Sequence, residues 1–117
     1  MTHLTALEMA ALDAICSQQS DGREALINQL ATATVARREN SGVGFFTYLA
    51  VDRATSPVTS GGGVLGNVAA TIEGFDQPML LMLFMKNGYA DMLEGATIDD
   101  STVGIDLAAL RFEIALA

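Results

Sequence analysis

The segment PMLLMLFMKNGYADMLEG, residues 78–95, contains seven consecutive apolar residues followed by Lys-Asn-Gly. The run Met79–Met85 is too short for a typical helix, and it suits a strand that is covered on both faces. Asn87-Gly88 predicts a two-residue hairpin, because both central residues of a type I′ turn need positive φ. We therefore expect an apolar strand in the middle of a sheet, since at an edge it would template aggregation.

Folding back at this turn predicts the register of the hairpin. The pairs run outward from the turn as Lys86–Tyr89, Met85–Ala90, Phe84–Asp91 and Leu83–Met92. The returning strand is less apolar, so we expect it to lie nearer an edge or to be half exposed. Helices are expected to cover one face of the apolar strand, and a loop or a second subunit the other.

The N-terminal part of the chain has helical patterns. Apolar spacing predicts a first helix over residues 5–18, with Thr5 and Glu8 in the form of a capping box. Asp21 and Glu24 repeat that form before a second, shorter helix. Two helices joined by a short polar link predict a helical hairpin that lies over other elements.

Aromatic and β-branched segments predict the remaining strands. These are TVARRE at 34–39, VGFFTYLAV at 43–51, VLGNVAATIE at 64–73 and a final strand within 105–117, where a helix is the alternative. The 117 residues predict one domain, with a helical part over 1–31 and a sheet part over 33–117. The expected fold is α+β, with two N-terminal helices packed on an antiparallel sheet of five or six strands.

The charge balance narrows the classes of partner. Fourteen acidic and six basic residues give a net charge of −8, which disfavours direct binding to nucleic acid or anionic membranes. A basic protein partner is electrostatically easier, and a purely solubilising role for the charge is the simpler alternative. The longest apolar run has seven residues, against about 20 for a membrane helix. We expect a soluble, cytoplasmic protein.

Few residues are candidates for catalysis or metal binding. His3 is the only histidine and Cys16 the only cysteine, so Cys/His zinc sites and histidine-dependent triads have little support. No catalytic residue and no cofactor are predicted. A crowded acidic region supplies weak candidates for a cation site, with a solvated acidic rim as the favoured interpretation. The candidates are Asp91, Glu94, Asp99 and Asp100.

A partner-binding edge is the preferred candidate site, because aromatic side chains concentrate in interface cores. It comprises the strand at 43–51, the Gly- and Ser-rich loop at 52–63, which we expect to be mobile, and nearby arginines. The residues that we assign to it are Arg37, Arg38, Phe46, Tyr48 and Arg53.

The leading functional hypothesis is a non-enzymatic protein-binding or inhibitor-type module that forms a homodimer through its exposed sheet face or edge. One alternative is a small metal-dependent hydrolase that uses the acidic cluster. Another is a small-molecule-binding protein with an apolar, methionine-lined pocket between helices and sheet.

Three segments, RRENSGVGFFTYLAVD, GGGVLGNVAATIEG and LFMKNGYADMLEG, resemble a set of short, uncharacterised bacterial proteins. Those proteins share a TGVGFFT-like strand, a Gly/Ala/Ile/Gly strand and a closing LEG. The resemblance covers about half of the chain, from Arg37 to Gly95, with Ser41 where threonine is expected. It implies a small bacterial cytoplasmic domain with an N-terminal helical part and an antiparallel sheet, and it transfers no catalytic residue.

Overall fold

A computed structural model describes residues 3–59 and 63–116. The described elements are α1 (Ala6–Ser17), α2 (Arg23–Leu30), β1 (Thr34–Asn40), β2 (Gly44–Ala50), β3 (Val64–Ile72), β4 (Met79–Lys86), β5 (Tyr89–Ala96) and β6 (Phe112–Leu116). The strands form one antiparallel sheet in the order β1-β2-β5-β4-β3-β6. Both helices pack on one face of this sheet. The predicted α+β fold is confirmed, with six strands.

The two helices begin in different ways. At α1 the predicted capping box is present: the Thr5 hydroxyl accepts from the Glu8 N–H at 3.1 Å, and the Glu8 carboxylate accepts from the Thr5 N–H at 2.7 Å. The second predicted capping box, Asp21 with Glu24, is wrong. The N-cap of α2 is Gly22, in a left-handed conformation (φ 73°), and no side chain caps that helix.

The hairpin that joins β4 to β5 confirms the turn prediction. Asn87 and Gly88 have φ of 53° and 83°, as a type I′ turn requires. Strand β4 lies inside the sheet, between β5 and β3. Of the two expectations for β5, a position nearer an edge is wrong, because β2 pairs with its other side. Half exposure is confirmed, since the side chains on one face of β5 are partly exposed.

A β-bulge changes the register beyond the turn. Lys86–Tyr89 and Met85–Ala90 pair as predicted, but Phe84 lies opposite Met92 and Leu83 opposite Leu93. The two outer predicted pairs are therefore wrong by one residue, because Asp91 is the extra residue in β5. The shift places Leu93, which is fully buried, rather than Met92 on the side of the helices.

The core lies between the helices and the inner face of the sheet. Its fully buried side chains include Ile15, Leu26, Ile72, Met79, Leu81, Leu83 and Leu93. Phe45 pairs with Gly95 across β2 and β5, and its ring fills the space beside that glycine: a Cβ added at Gly95 would lie 2.3 Å from the ring. The GFF and LEG segments are thus two halves of one packing contact.

The chain ends in a strand, as the alternation favoured. Strand β6 pairs antiparallel with β3, and Ile72 lies opposite Phe112. A short 3₁₀ turn, Leu107–Ala109, precedes β6. The helical alternative for residues 105–117 is therefore excluded over β6.

Candidate protein-interaction surface

The two faces of β4 differ sharply in burial. On the side of the helices Met79, Leu81 and Leu83 are 0 % exposed. On the opposite side Leu80 is 43 % exposed, and Met82 and Phe84 are half-buried. The expected cover on both faces is therefore complete on one face only. No loop of the described residues buries Leu80, or Val64, which lies opposite Phe84 and is 48 % exposed.

The strand pairings arrange the residues on the side of the sheet away from the helices in three rows that run across the strands. The first row is Arg37, Tyr48, Met92, Phe84 and Val64, the second is Glu39, Phe46, Glu94 and Met82, and the third is Gly44, Ala96, Leu80, Ala69 and Ala115. We call these three rows the outer face. Lys86 and Tyr89 form one further pair beyond the first row, beside the hairpin turn.

Aromatic and methionine side chains fill the middle of the outer face, and its cations lie towards the hairpin. The guanidinium of Arg37 lies 4.4 Å from the centroid of the Tyr48 ring. That of Arg53 lies 4.5 Å from the Tyr89 ring. Such cation–π contacts hold an arginine flat against an aromatic ring, so that it covers apolar surface with its charge still accessible.

Four of the five residues assigned to the partner-binding edge lie on or beside the outer face. Arg37, Phe46 and Tyr48 belong to its first two rows, and Arg53 stacks beside the hairpin. Arg38 does not join them, because the next position along β1 points towards α1. Both arginines were assigned to one site from the sequence, but the alternation of the strand places them on opposite faces of the sheet.

Arg38 binds a buried carboxylate instead. Its Nη2 and Nε donate to Glu8 at 2.7 and 2.9 Å, and the Thr47 hydroxyl donates to the same carboxylate. Glu8 is only 2 % exposed. This bidentate contact ties α1 to β1 and β2. The sequence signal for it was Thr47, a polar residue on the otherwise apolar face of its strand.

The electrostatics of this ion pair favour the charged forms. Burial alone would raise the pKa of Glu8, but hydrogen bonds from Arg38, Thr47 and the Thr5 N–H, with the Arg38 charge, outweigh it and lower the pKa. The hydrogen bond to Glu8 raises the pKa of Arg38, against a smaller opposing effect of burial. Both groups are satisfied inside the fold, so the pair is structural.

Gln29 is a second buried polar anchor, which the sequence analysis missed. It is 0 % exposed and donates to the carbonyls of Ser56 at 3.0 Å and Gly88 at 2.8 Å, while its own oxygen accepts from the Ala90 N–H at 2.9 Å. These bonds fasten α2 to the hairpin and to the described part of the loop at 52–59. Residues 60–62 of that predicted mobile loop lie outside the described residues.

The acidic candidates are spread over the molecule. Asp91 lies at the bulge near the hairpin, and Glu94 lies in the second row of the outer face. Asp100 accepts from the backbone N–H groups of Asp76 and Gln77 at 3.1 and 3.2 Å, so it holds a turn. Within 3–59 and 63–116, no three His, Cys, Asp or Glu side chains come together as a metal site needs.

An apolar cavity of about 290 Å³ lies between α1 and α2 rather than between helices and sheet. Its lining is Leu4, Met9, Leu12, Asp13, Cys16, Ile27, Leu30 and Ala31. The space expected to hold a methionine-lined pocket is filled by core side chains such as Met79. Burial, with the nearby Asp13 charge, raises the pKa of Cys16 to about 11, so the thiol is protonated at neutral pH.

No family model, curated protein or solved structure matches this chain. The resemblance to short bacterial proteins therefore stays a prediction. In the described part of the chain, neither helix has the length and apolar character needed to cross a membrane. The predicted cellular location stays a prediction as well.

Proposed function

We propose that the protein is a non-enzymatic protein-binding module and that the outer face is its binding surface. The observation that carries the proposal is the open side of β4, where Leu80, Met82 and Phe84 stand uncovered in the middle of a six-stranded sheet. Contiguous exposed apolar surface of this kind marks interaction sites in proteins that fold as single domains.

The composition of the outer face supports a protein partner. Its middle consists of tyrosine, phenylalanine and methionine, which are residue types enriched in the cores of protein interfaces. These residues are Phe46, Tyr48, Met82, Phe84 and Met92. Arg37 and Glu39 lie at its border on β1, which matches a polar rim around an apolar centre. An inhibitor-type role, in which the outer face occupies a functional surface of its partner, is one form of this proposal.

The two alternatives have less support. A metal-dependent hydrolase needs carboxylates that converge, and among the described residues Asp91, Glu94 and Asp100 have separate surroundings. A small-molecule binder needs a pocket of about 300–1,000 Å³, and the cavity between α1 and α2 is at the lower limit.

Site-specific photo-cross-linking in cells tests the proposal. A benzophenone amino acid replaces Met82 on the outer face in one variant and the exposed Asn28 on α2 in a control variant. We expect discrete protein–protein cross-links from position 82 that position 28 does not give. The proposal fails if position 82 yields only uncross-linked chain after irradiation.

A further inference from the structure

We infer that the occupant of the outer face is a second copy of this chain, packed sheet on sheet about a two-fold axis that runs across the strands. The inference rests on the proposed function and adds the identity and orientation of the partner. Three observations carry it: the distribution of charge over the outer face, the pairing that this distribution allows, and the size of the face.

The connections place unlike charge at the two ends of the sheet. The end with the hairpin turn, which we call the hairpin end, carries Arg37, Arg53 and Lys86 against Asp52 and Asp91. The opposite end, the loop end, holds the connections 41–43, 73–78 and 97–111. Its charged residues are Glu73, Asp76, Asp99, Asp100 and Asp106, with Arg111 as the one cation in those connections. The sheet therefore runs from a mixed, cation-containing end to an acidic end.

A two-fold axis across the strands inverts the direction along them. It sets the hairpin end of one copy over the loop end of the other, which brings unlike charges together. An axis parallel to the strands would instead set the two acidic loop ends against each other. Like charges in juxtaposition cost several kcal/mol, so the first orientation is favoured.

The rows of the outer face then give specific contacts. With the axis between the first and second rows, Arg37 of one copy faces Glu39 of the other. Phe84 packs on Met82 of the other copy in the same arrangement. Lys86, which lies just beyond the first row, faces the third row of the other copy, where its aliphatic stem covers Leu80. Each contact occurs twice, as in every two-fold interface.

Arg37 explains why the partner is this chain rather than a basic protein. A face built for a basic partner would be acidic throughout, whereas this face has Arg37 in its first row and Glu39 and Glu94 in its second. Alternating rows of opposite charge are self-complementary when one copy is inverted. The apolar side chains between them supply the area to be buried.

The size of the face suits one further copy. The Cα atoms extend over 39 × 31 × 19 Å, and the short dimension matches one helix layer on one sheet, each roughly 10 Å thick. An ellipse on the two longer axes, which is the cross-section of the whole domain, encloses roughly 950 Å², so a standard interface of about 800 Å² per partner would use most of this side of the sheet. Dimerisation through the outer face converts an open two-layer domain into a four-layer α-β-β-α sandwich.

Sedimentation velocity with a charge exchange tests the inference. We expect sedimentation to give the native protein a mass of twice 12.3 kDa at a protein concentration within about 1–100 µM. Arg37→Glu and Glu39→Arg should each weaken the dimer about tenfold or more, and the double variant Arg37→Glu/Glu39→Arg should restore it. Glu24→Arg makes the same charge change as Glu39→Arg on exposed α2 and should leave the dimer intact.

Thermal melts of each variant establish that it is folded before it is scored. A native chain that is monomeric at about 100 µM overturns the inference. A dimer that the single variants do not weaken, or that the double variant does not restore, also overturns it. If the chain is monomeric while position 82 cross-links to a different protein, the proposed function stands and the second copy is excluded. If position 82 cross-links to nothing, both fall.

Discussion

The inner and outer faces of β4 have nearly the same chemistry and opposite surroundings. Met79, Leu81 and Leu83 are sealed beneath the helices, whereas Leu80, Met82 and Phe84 lie open on the other side. An unbroken apolar run indicates cover on both faces. Because the described chain supplies only one cover, the difference teaches where a partner would bind, and the proposal assigns the second cover to that partner.

The largest expected effect compares adjacent leucines on the two faces. Leu81→Ala should lower the free energy of unfolding by about 4 kcal/mol, because it removes a fully buried side chain and leaves a cavity. Leu80→Ala should cost about 1 kcal/mol or less in dilute monomer. Urea denaturation at low protein concentration measures both, and equal losses would contradict the assigned faces.

Adjacent arginines of β1 provide the second comparison. Arg38→Met should cost about 3 kcal/mol, because it leaves the Glu8 carboxylate buried without its cation. Arg37→Met on the outer face should cost less than about 1 kcal/mol in the monomer. Chemical denaturation at neutral pH tests the pair, and the account fails if Arg37→Met is the more destabilising change.

A glycine pair tests the packing between β2 and β5. Gly95→Ala should cost about 2 kcal/mol, because its Cβ would overlap the Phe45 ring and the Met79 sulfur on the inner face. Gly63→Ala is the matched control, since nothing lies within 4 Å of a Cβ there. Thermal melts should show a lower midpoint for the first variant alone. A Gly95→Ala variant as stable as the native protein would exclude this contact.

The smallest expected effect is on the pH dependence. Because folding lowers the pKa of Glu8, this residue contributes to stability at pH values above its pKa in the unfolded chain, about 4.3. That contribution is lost as the pH falls through the lower pKa of Glu8 in the folded chain. Glu8→Gln should therefore flatten the decline in stability between neutral pH and about pH 3. Glu24→Gln, at an exposed position, should keep the native slope. Denaturation curves across this range distinguish them.

Local patterns were enough to predict most of the fold. The apolar run, the Asn-Gly turn and the alternation in β2 each reflect interactions between near neighbours, and they predicted the central strand and its hairpin. The bulge at Asp91 could not be predicted, because it is the burial of Leu93 against the helices that selects the shifted register. The position of β5 inside the sheet depends on its long-range pairing with β2.

The candidate site was predicted in part for the same reason. The alternation in β2 correctly separated Phe46 and Tyr48 from the core side chains. It could not show that Arg38 meets Glu8, because that contact joins residues 30 positions apart. Nor could it place Glu94 beside Phe46 and Met82, since both neighbours come from strands that are distant in sequence or shifted by the bulge.

Methionine oxidation tests the covered outer face most directly, because the chain carries its own controls. Met79 is fully buried on the inner face, Met9 is 50 % exposed on α1, and Met82 lies on the outer face. Peroxide oxidation is followed by peptide mass spectrometry while protein concentration rises from about 1 to about 100 µM. We predict that Met82 becomes protected as concentration rises, while Met9 stays reactive and Met79 unreactive. Met82 oxidising as fast as Met9 at every concentration would contradict the account.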